Sequence, residues 1–313
     1  MNRFGLFLFA VFLCNFSCNR LQPDVVEFDV PQGGHKCLII GDWGRQDNAN
    51  LLDNAKVMNQ LACRLTIDAV LTTGDNFYDS GVSDTNDAHW NINFENVFNG
   101  ECLLPILWYP ILGNHDILGN ATAQINYSNK SERWNMPSTF YDRWVVTEDS
   151  VSVHFVAVDT NPFMERLQTF SEGYHFTNAD TLQALNWLDS VLSVGNPDWL
   201  VVYGHHPVYP AGRRGTNALI EKLVPLFNKY GVDIYFCGHN HTLELIKTEM
   251  PTLYVTSGGG SDPKIDIQLS EYSLFGVAQS GFVLSSFVKD SVQLDFMSKK
   301  GERLFSYVGQ SAP

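Results

Sequence analysis

Asp42, Asp75, Tyr78, Asn114, His205, His239 and His241 offer two carboxylates, a phenol, an amide oxygen and three imidazoles. These are donors that hard and borderline first-row metal ions accept. They fall in five short islands: Gly41-Asp42-Trp43-Gly44, Gly74-Asp75-Asn76-Phe77-Tyr78, Gly113-Asn114-His115-Asp116, Gly204-His205-His206-Pro207 and Gly238-His239-Asn240-His241. Each island directly follows an apolar run that reads as a strand, and in an open α/β sheet ligands gather beyond the carboxyl ends of strands. Alone, each residue is ordinary: a strand-end Asp is commonly a cap, and a Gly-Asn pair is commonly a turn. Together they predict a two-metal hydrolytic centre, with Asp75, central in the set, as the carboxylate that bridges both ions.

The elements that must position these residues follow from the apolar pattern. Cys37 to Ile40, Asp68 to Thr73, Trp108 to Leu112, Trp199 to Tyr203 and Val232 to Cys237 are the strands leading into the five islands, and Val151 to Val158 is a further strand. Between them the period lengthens to three or four residues over Asn50–Leu65, Asp87–Phe98, Ala179–Val194 and Leu219–Tyr230, which predicts helices. In Ala179–Val194 the expected apolar face is Leu182, Leu185, Trp187, Leu188 and Leu192. After the fifth island the chain turns β-rich, with strands over Thr252–Ser257, Gly281–Val288, Val292–Met297 and Arg303–Tyr307. Early α/β alternation followed by a β-rich end predicts an α/β fold of two packed mixed β-sheets flanked by helices. No linker or repeat interrupts residues 36–308, which are expected to form a single catalytic domain, with an N-terminal extension at 19–35 and a short tail at 309–313. Gly258-Gly259-Gly260-Ser261 reads as a turn near the site, since no helix follows it to make a phosphate loop.

Arg3 followed by the apolar run Gly5 to Cys14 reads as an export signal spanning residues 1–18, too short to cross a bilayer. Ser17-Cys18 presents a lipid-attachment site as the alternative to plain cleavage, although Asn15 fits that pattern poorly. The formal charge of −14 opposes binding to nucleic acid or other polyanions, so an anionic substrate must be attracted locally, by metal charge and nearby arginine. Cys37, Cys63, Cys102 and Cys237 remain after export and allow three disulfide connectivities. Cys37 and Cys237 lie in strand patterns and read as small buried hydrophobes. The absence of any Cys-x-x-Cys pair excludes a zinc ribbon.

The five islands resemble the metal motifs of the purple acid phosphatases, within the calcineurin-like metallophosphoesterase superfamily, and most of all the small tartrate-resistant type. The likeness extends to Gly81-Val82, Phe94 to Phe98, Ala123 to Ser128, Arg133 to Ser138, Phe140-Tyr141 and Tyr230-Gly231-Val232, and covers residues 36–308. Most of the superfamily resembles Asp-x-His at the first island; here that place is Gly44, and Tyr78 fills the vacancy. The resemblance implies an α-β-β-α sandwich, iron(III) held by Asp42, Asp75, Tyr78 and His241, and a divalent iron, zinc or manganese ion held by Asp75, Asn114, His205 and His239. It implies an acid phosphatase that cleaves phosphate monoesters by attack of a metal-bound hydroxide.

His115, next to Asn114, is placed to protonate the leaving oxygen, and Asp116 is expected to hold its imidazole in the required tautomer. Asn76 and His206, beside ligands Asp75 and His205, are counted with the substrate-binding residues. Where the tartrate-resistant type carries a phosphate-contacting histidine, nine residues after His205, this chain has Arg214, preceded by Arg213. A guanidinium can clamp phosphate but cannot act as an acid. Thr160 to Phe176, without a clear period, is expected to form a lid over the site. A phosphodiesterase or pyrophosphate/nucleotide hydrolase on the same metal pair, and a non-catalytic binding protein on the same scaffold, are the competing readings. The expected partner is a small-molecule phosphoester, and the expected state is a monomer.

Overall fold

Strands covered on both faces lose the polar half of their alternation, and the apolar runs of this sequence are such strands. The computed structural model describes residues 29–46, 48–164, 176–210, 217–263 and 267–310. β1 (His35–Ile40), β2 (Ala69–Thr72) and β3 (Trp108–Pro110) run parallel as neighbours. Beyond β1, the antiparallel strands β11 (Gly281–Phe287), β12 (Ser291–Ser298) and β13 (Arg303–Gln310) extend the sheet in the order β13-β12-β11-β1-β2-β3. The second sheet contains β4 (Phe140–Val146), β5 (Ser152–Val158), β6 (Trp199–Tyr203), β7 (Ile234–Cys237), β8 (Leu243–Lys247), β9 (Leu253–Ser257) and β10 (Ser273–Val277). Its order is β10-β8-β9-β7-β6-β5-β4, with β5, β6, β7 and β9 parallel.

Alternation along the strands divides the interior. Val153, Phe155, Val201, Phe236 and Val255 of the second sheet share one core with Ile39, Leu284 and Leu294 of the first. Their neighbours Val156, Val158, Leu200, Val202 and Cys237 point the other way, onto α3 (Asn178–Leu192) and α4 (Asn217–Tyr230) through Leu188, Leu219, Leu223 and Phe227. On the first sheet, α1 (Ala49–Ala62) packs against β11, burying Leu51, Ala55, Met58 and Leu61. The two sheets packed with helices therefore form the expected α/β sandwich.

Departures from the sequence reading have local causes. β4 carries Asp142, Arg143 and half-exposed positions at a sheet edge, so it has no apolar run to reveal it. The short β8 and β10 and the seven-residue helix α2 (Ala121–Tyr127) were also without a clear pattern. The helix expected over Asp87–Phe98 is a wide turn at Trp90–Glu95, with Asn96 N–H donating to the Asn91 carbonyl; the Trp90 ring stacks on Tyr127 at 3.5 Å. In α3 the buried face is Thr181, Ala184, Leu188, Val191 and Leu192, and Leu182 is 58% exposed. β13 runs on to Gln310, into the residues expected to be a tail.

Cys63, at the end of α1, is disulfide-bonded to Cys102, with Cα atoms 5.1 Å apart. Cys37 and Cys237 are free and buried, as their strand positions predicted. Among the described residues no helix is long and apolar enough to cross a membrane. The export signal, Cys18, Arg213, Arg214 and positions 165–175 of the expected lid lie outside the described residues. The start of that lid, Asn161–Phe163, is a buried helical turn tied to α3 by the Thr181 hydroxyl, which donates to the Pro162 carbonyl at 2.6 Å.

Candidate metal centre

All five islands leave the carboxyl ends of parallel strands, three from the first sheet and two from the second, so the site gathers at the carboxyl ends of strands from both sheets. Main-chain bonds tie the islands together: Asp42 N–H to the Gly74 carbonyl at 3.0 Å and Gly238 N–H to the His205 carbonyl at 2.9 Å. The backbone bends sharply to aim the side chains. Five non-glycine residues among those described have positive φ, and four of them are predicted ligands: Asp42 (57°), Asp75 (52°), His239 (67°) and His241 (49°). Such conformations are uncommon outside glycine and tend to cluster at functional sites. Gly44 is also constrained: a Cβ there would lie 2.2 Å from the Asn76 carbonyl oxygen, leaving no room for any side chain at that place.

The side chains of the islands face one another at hydrogen-bond distance. The Tyr78 hydroxyl lies 3.0 Å from Asp42 Oδ1, 2.8 Å from Asp75 Oδ2 and 3.1 Å from His241 Nε2. His241 Nδ1 donates to the Asp262 carbonyl at 2.7 Å, so its Nε2 presents a lone pair. One phenolic proton is thus shared among three acceptors. On the other side of Asp75, His205 Nδ1 donates to the Thr73 carbonyl at 2.8 Å, which turns the His205 Nε2 lone pair toward Asn114 Oδ1 at 3.1 Å and Asp75 Oδ2 at 3.5 Å. His239 Nδ1 stands 3.2 Å from the same nitrogen. Two groups of lone-pair atoms, short of protons and both including Asp75, fit two cations.

Electrostatics agrees. Burial, and then the nearby Asp75 carboxylate, push the Asp42 carboxyl well above its usual range, while the Asp42 oxygen still accepts His239 N–H at 2.7 Å. Burial and the same two carboxylates hold the Tyr78 proton well above the ordinary phenol range. Burial pulls His205 below the usual imidazole range and keeps it neutral, the form that ligates metals. Protein charge alone therefore does not stabilise this cluster in its ionised form; bound cations would.

The calcineurin-like phosphoesterase family model matches residues 35–243, a span that contains all five islands. The chain belongs to the calcineurin-like phosphoesterase family. Within this family it is similar to tartrate-resistant acid phosphatase type 5 of Oryctolagus cuniculus, 35% identical over 289 residues that cover 85% of this chain and 88% of that protein. It is also similar to purple acid phosphatase 7 of Arabidopsis thaliana, 33% identical over 270 residues that cover 82% and 79%. Among solved structures, GAP50, the anchor in the inner membrane complex of Plasmodium, superposes with a TM-score of 0.81 at 26% identity over 90% of both chains. The phosphatase PPD1 from yellow lupin seeds shares the fold, with a TM-score of 0.65 at 17% identity over 88% of this chain and 53% of that one. The family, its relatives and the donor geometry together support phosphoester hydrolysis at a metal site.

In this calcineurin-like phosphoesterase the seven expected ligands come together, but the residues around them divide differently from the sequence reading. His115 is held by the Asp79 carbonyl, 2.7 Å from its Nδ1, and its main-chain N–H donates to Asp75 Oδ1 at 2.8 Å. Asp116 does not hold the His115 ring. Its fully buried carboxylate accepts from Gly113 N–H at 2.7 Å, Asn76 and Phe77 N–H at 3.1 Å, and Gln124 Nε2 at 2.8 Å, joining the second and third islands from beneath. Burial, with Asp75 second, pushes its carboxyl up to about 7.

Asn76 is likewise internal: its amide donates to the Ile111 carbonyl at 2.9 Å and Gln124 Oε1 at 3.1 Å and accepts from the Thr72 hydroxyl at 2.6 Å. It has no face left for substrate. His206, in contrast, stays in the site, its ring 4.9 Å from that of His205 and 4.7 Å from that of His239. The Thr160 hydroxyl oxygen accepts from the main-chain N–H of His205 at 3.3 Å and of His206 at 3.1 Å, so its own proton goes to His206 Nδ1 at 2.8 Å. That count leaves His206 with its proton on Nε2, a donor and not a ligand. Burial, with His205 next to it, lowers its pKa well below the usual imidazole range. Thr73, Thr160, Asp79 and Asp262 escape the sequence reading because three of them act through main-chain carbonyls and Thr160 through one hydroxyl.

Proposed function

We propose that this chain is an exported acid phosphatase that hydrolyses phosphate monoesters at a two-ion centre. The carrying observation is the pair of proton-poor donor clusters that meet at Asp75. Asp42, Asp75, Tyr78 and His241 would hold iron(III), since a phenolate favours a trivalent ion; Asp75, Asn114, His205 and His239 would hold a divalent iron, zinc or manganese. When bound, the ions supply Lewis acidity toward the phosphoryl group and a water acidic enough to attack it.

The chain's own groups do the remaining work. Because a carbonyl only accepts, the Asp79 oxygen holds a proton on His115 Nδ1, so that in the imidazolium form Nε2 carries the second proton and delivers it to the departing alkoxide or phenoxide, leaving the neutral Nδ1–H ring. His206 Nε2–H donates to a phosphoryl oxygen, its ring held by Thr160. Arg214 adds a guanidinium clamp on the phosphate. Asp116 and Asn76 keep the second and third islands in register, which orients reacting groups without touching them. Export is supported by the Cys63–Cys102 disulfide, a bond typical of oxidising compartments, together with the basic-apolar N-terminus.

An absorption spectrum with metal analysis, run beside a panel of aryl phosphates, diesters and nucleoside triphosphates at acid pH, tests this reading. The expected outcome is a visible tyrosinate-to-iron band, two metals per chain and fastest turnover of monoesters. An oxidised protein that is colourless and active without iron would refute the iron assignment. Faster cleavage of diesters or triphosphates would move the substrate class. Arg214→Ala with unchanged KM and kcat, beside a collapse of kcat in His115→Ala, would remove the clamp. The GAP50 likeness keeps a second reading in view, an anchoring protein; a metal-loaded chain inert on the whole panel would favour it.

A further inference from the structure

Arg45 lies just past the first island, and its guanidinium sits over the Tyr78 ring, 4.6 Å from the centroid. It forms ion pairs with two carboxylates: Nε with Asp262 Oδ2 at 3.2 Å and Nη1 with Asp79 Oδ1 at 3.5 Å. The main-chain carbonyls of those same two residues orient the site. Asp79 receives His115 Nδ1, and Asp262 receives His241 Nδ1, both at 2.7 Å. One cation therefore joins the segment that holds the leaving-group acid to the segment that holds a ligand, across the face of the phenol between them. Arg45, Tyr78, Asp79 and Asp262 together line a cleft of about 680 Å³ that also takes in Gln46 and His89.

We propose that Arg45 is a positioning residue for the phosphatase reaction, acting through Tyr78 and through the carbonyls of Asp79 and Asp262. The inference rests on the two-ion reading above. Stability does not account for the arrangement: the partner carboxylates are 85% and 51% exposed, and ion pairs so open to water contribute little. Geometry accounts for it better. A planar guanidinium can meet two carboxylates and an aromatic face at once, which an ammonium cannot. A cation over the ring also stabilises a phenolate's electrons, so it tunes the donor that would face iron.

The test compares the wild-type full chain with Arg45→Met and Arg45→Lys, each as the metal-loaded enzyme. In Arg45→Met the inference expects kcat about tenfold lower, the scale seen when partners behind a metal site are removed, with KM for a small aryl phosphate within about twofold. It also expects a visible band displaced to longer wavelength, because the phenolate electrons lose their stabilising cation, and an unchanged metal content and melting temperature. Arg45→Lys should keep the band near its wild-type position while kcat stays low. An Arg45→Met enzyme with wild-type kcat and band would overturn the inference. So would loss of metal or a melting temperature lowered by several degrees, since either assigns Arg45 a structural role. A wild-type protein with no visible band would instead sink the iron assignment, leaving the kcat and KM comparison to judge Arg45.

Discussion

Replacing Tyr78 with phenylalanine removes one oxygen and keeps the ring, including its contacts with His115, 4.4 Å between centroids, and with Arg45. In the metal-free protein the lost hydroxyl is a donor facing Asp42, Asp75 and His241, all within 3.1 Å of it. Hydrogen bonds to charged groups contribute about 1.5–3 kcal/mol. The chelator-treated variant should therefore be less stable than chelator-treated wild type by about 2 kcal/mol, a fall of roughly 3 °C in melting temperature for a chain of this size. In the loaded protein the consequence is different in kind: no visible band, poor retention of iron, and a large fall in kcat. Calorimetry under chelation, absorption spectroscopy and metal analysis read the two halves separately. If chelated Tyr78→Phe melts with wild type, and its iron-loaded form keeps the band, then both the proton-sharing argument and the assignment of this phenol as a ligand are wrong.

Three further outcomes follow from the same geometry. Gly44→Ala puts a Cβ 2.2 Å from the Asn76 carbonyl oxygen, so the turn bearing Tyr78 must shift; overpacking of this kind costs about 1–3 kcal/mol, and kcat should fall with it, measured by urea unfolding and steady-state assay. Asp116→Asn turns an amide NH₂ toward two of four buried donors, each orphaned donor costing about 1–3 kcal/mol, so unfolding midpoints should drop steeply; a variant of wild-type stability with only kcat reduced would restore a role for Asp116 on His115. Burial pushes the Asp159 carboxyl up to about 7, against the two hydrogen bonds from Asn161. Because the folded value lies above the unfolded one of about 3.9, this group's stabilisation is complete below pH ~4 and is lost as pH rises toward 7, an effect on the order of 4 kcal/mol at most. Asp159→Asn should remove that slope, and parallel pH–stability curves for the two proteins would contradict it.

The clustering of the seven candidate ligands was legible because each of their islands follows a strand, and strands buried on both faces announce themselves as apolar runs. The same rule explains what escaped. β4 and β10 lie at sheet edges with mixed burial, so their sequences carry no such run. Asp116 and Asn76 sit in ligand-rich islands and share the ligands' chemistry, yet both are fully buried and committed to neighbouring main chain. Residue type could not separate them from Asp75, because the difference lies in which side of the turn each faces. The carbonyls of Thr73, Asp79 and Asp262, which fix three imidazoles, belong to atoms every residue possesses. Arg45 was invisible for a related reason: its partners are distant in sequence and meet it only once the islands have folded over Tyr78.

The left-handed kinks at Asp42, Asp75, His239 and His241 constrain how this chain can change over generations. Valine, isoleucine and threonine at those places would be penalised by the backbone itself, whether or not an ion were present. A descendant released from catalysis would thus exchange these residues mostly for glycine or asparagine, which tolerate the bend. Retired copies of the enzyme should be recognisable by that substitution spectrum before their architecture alters.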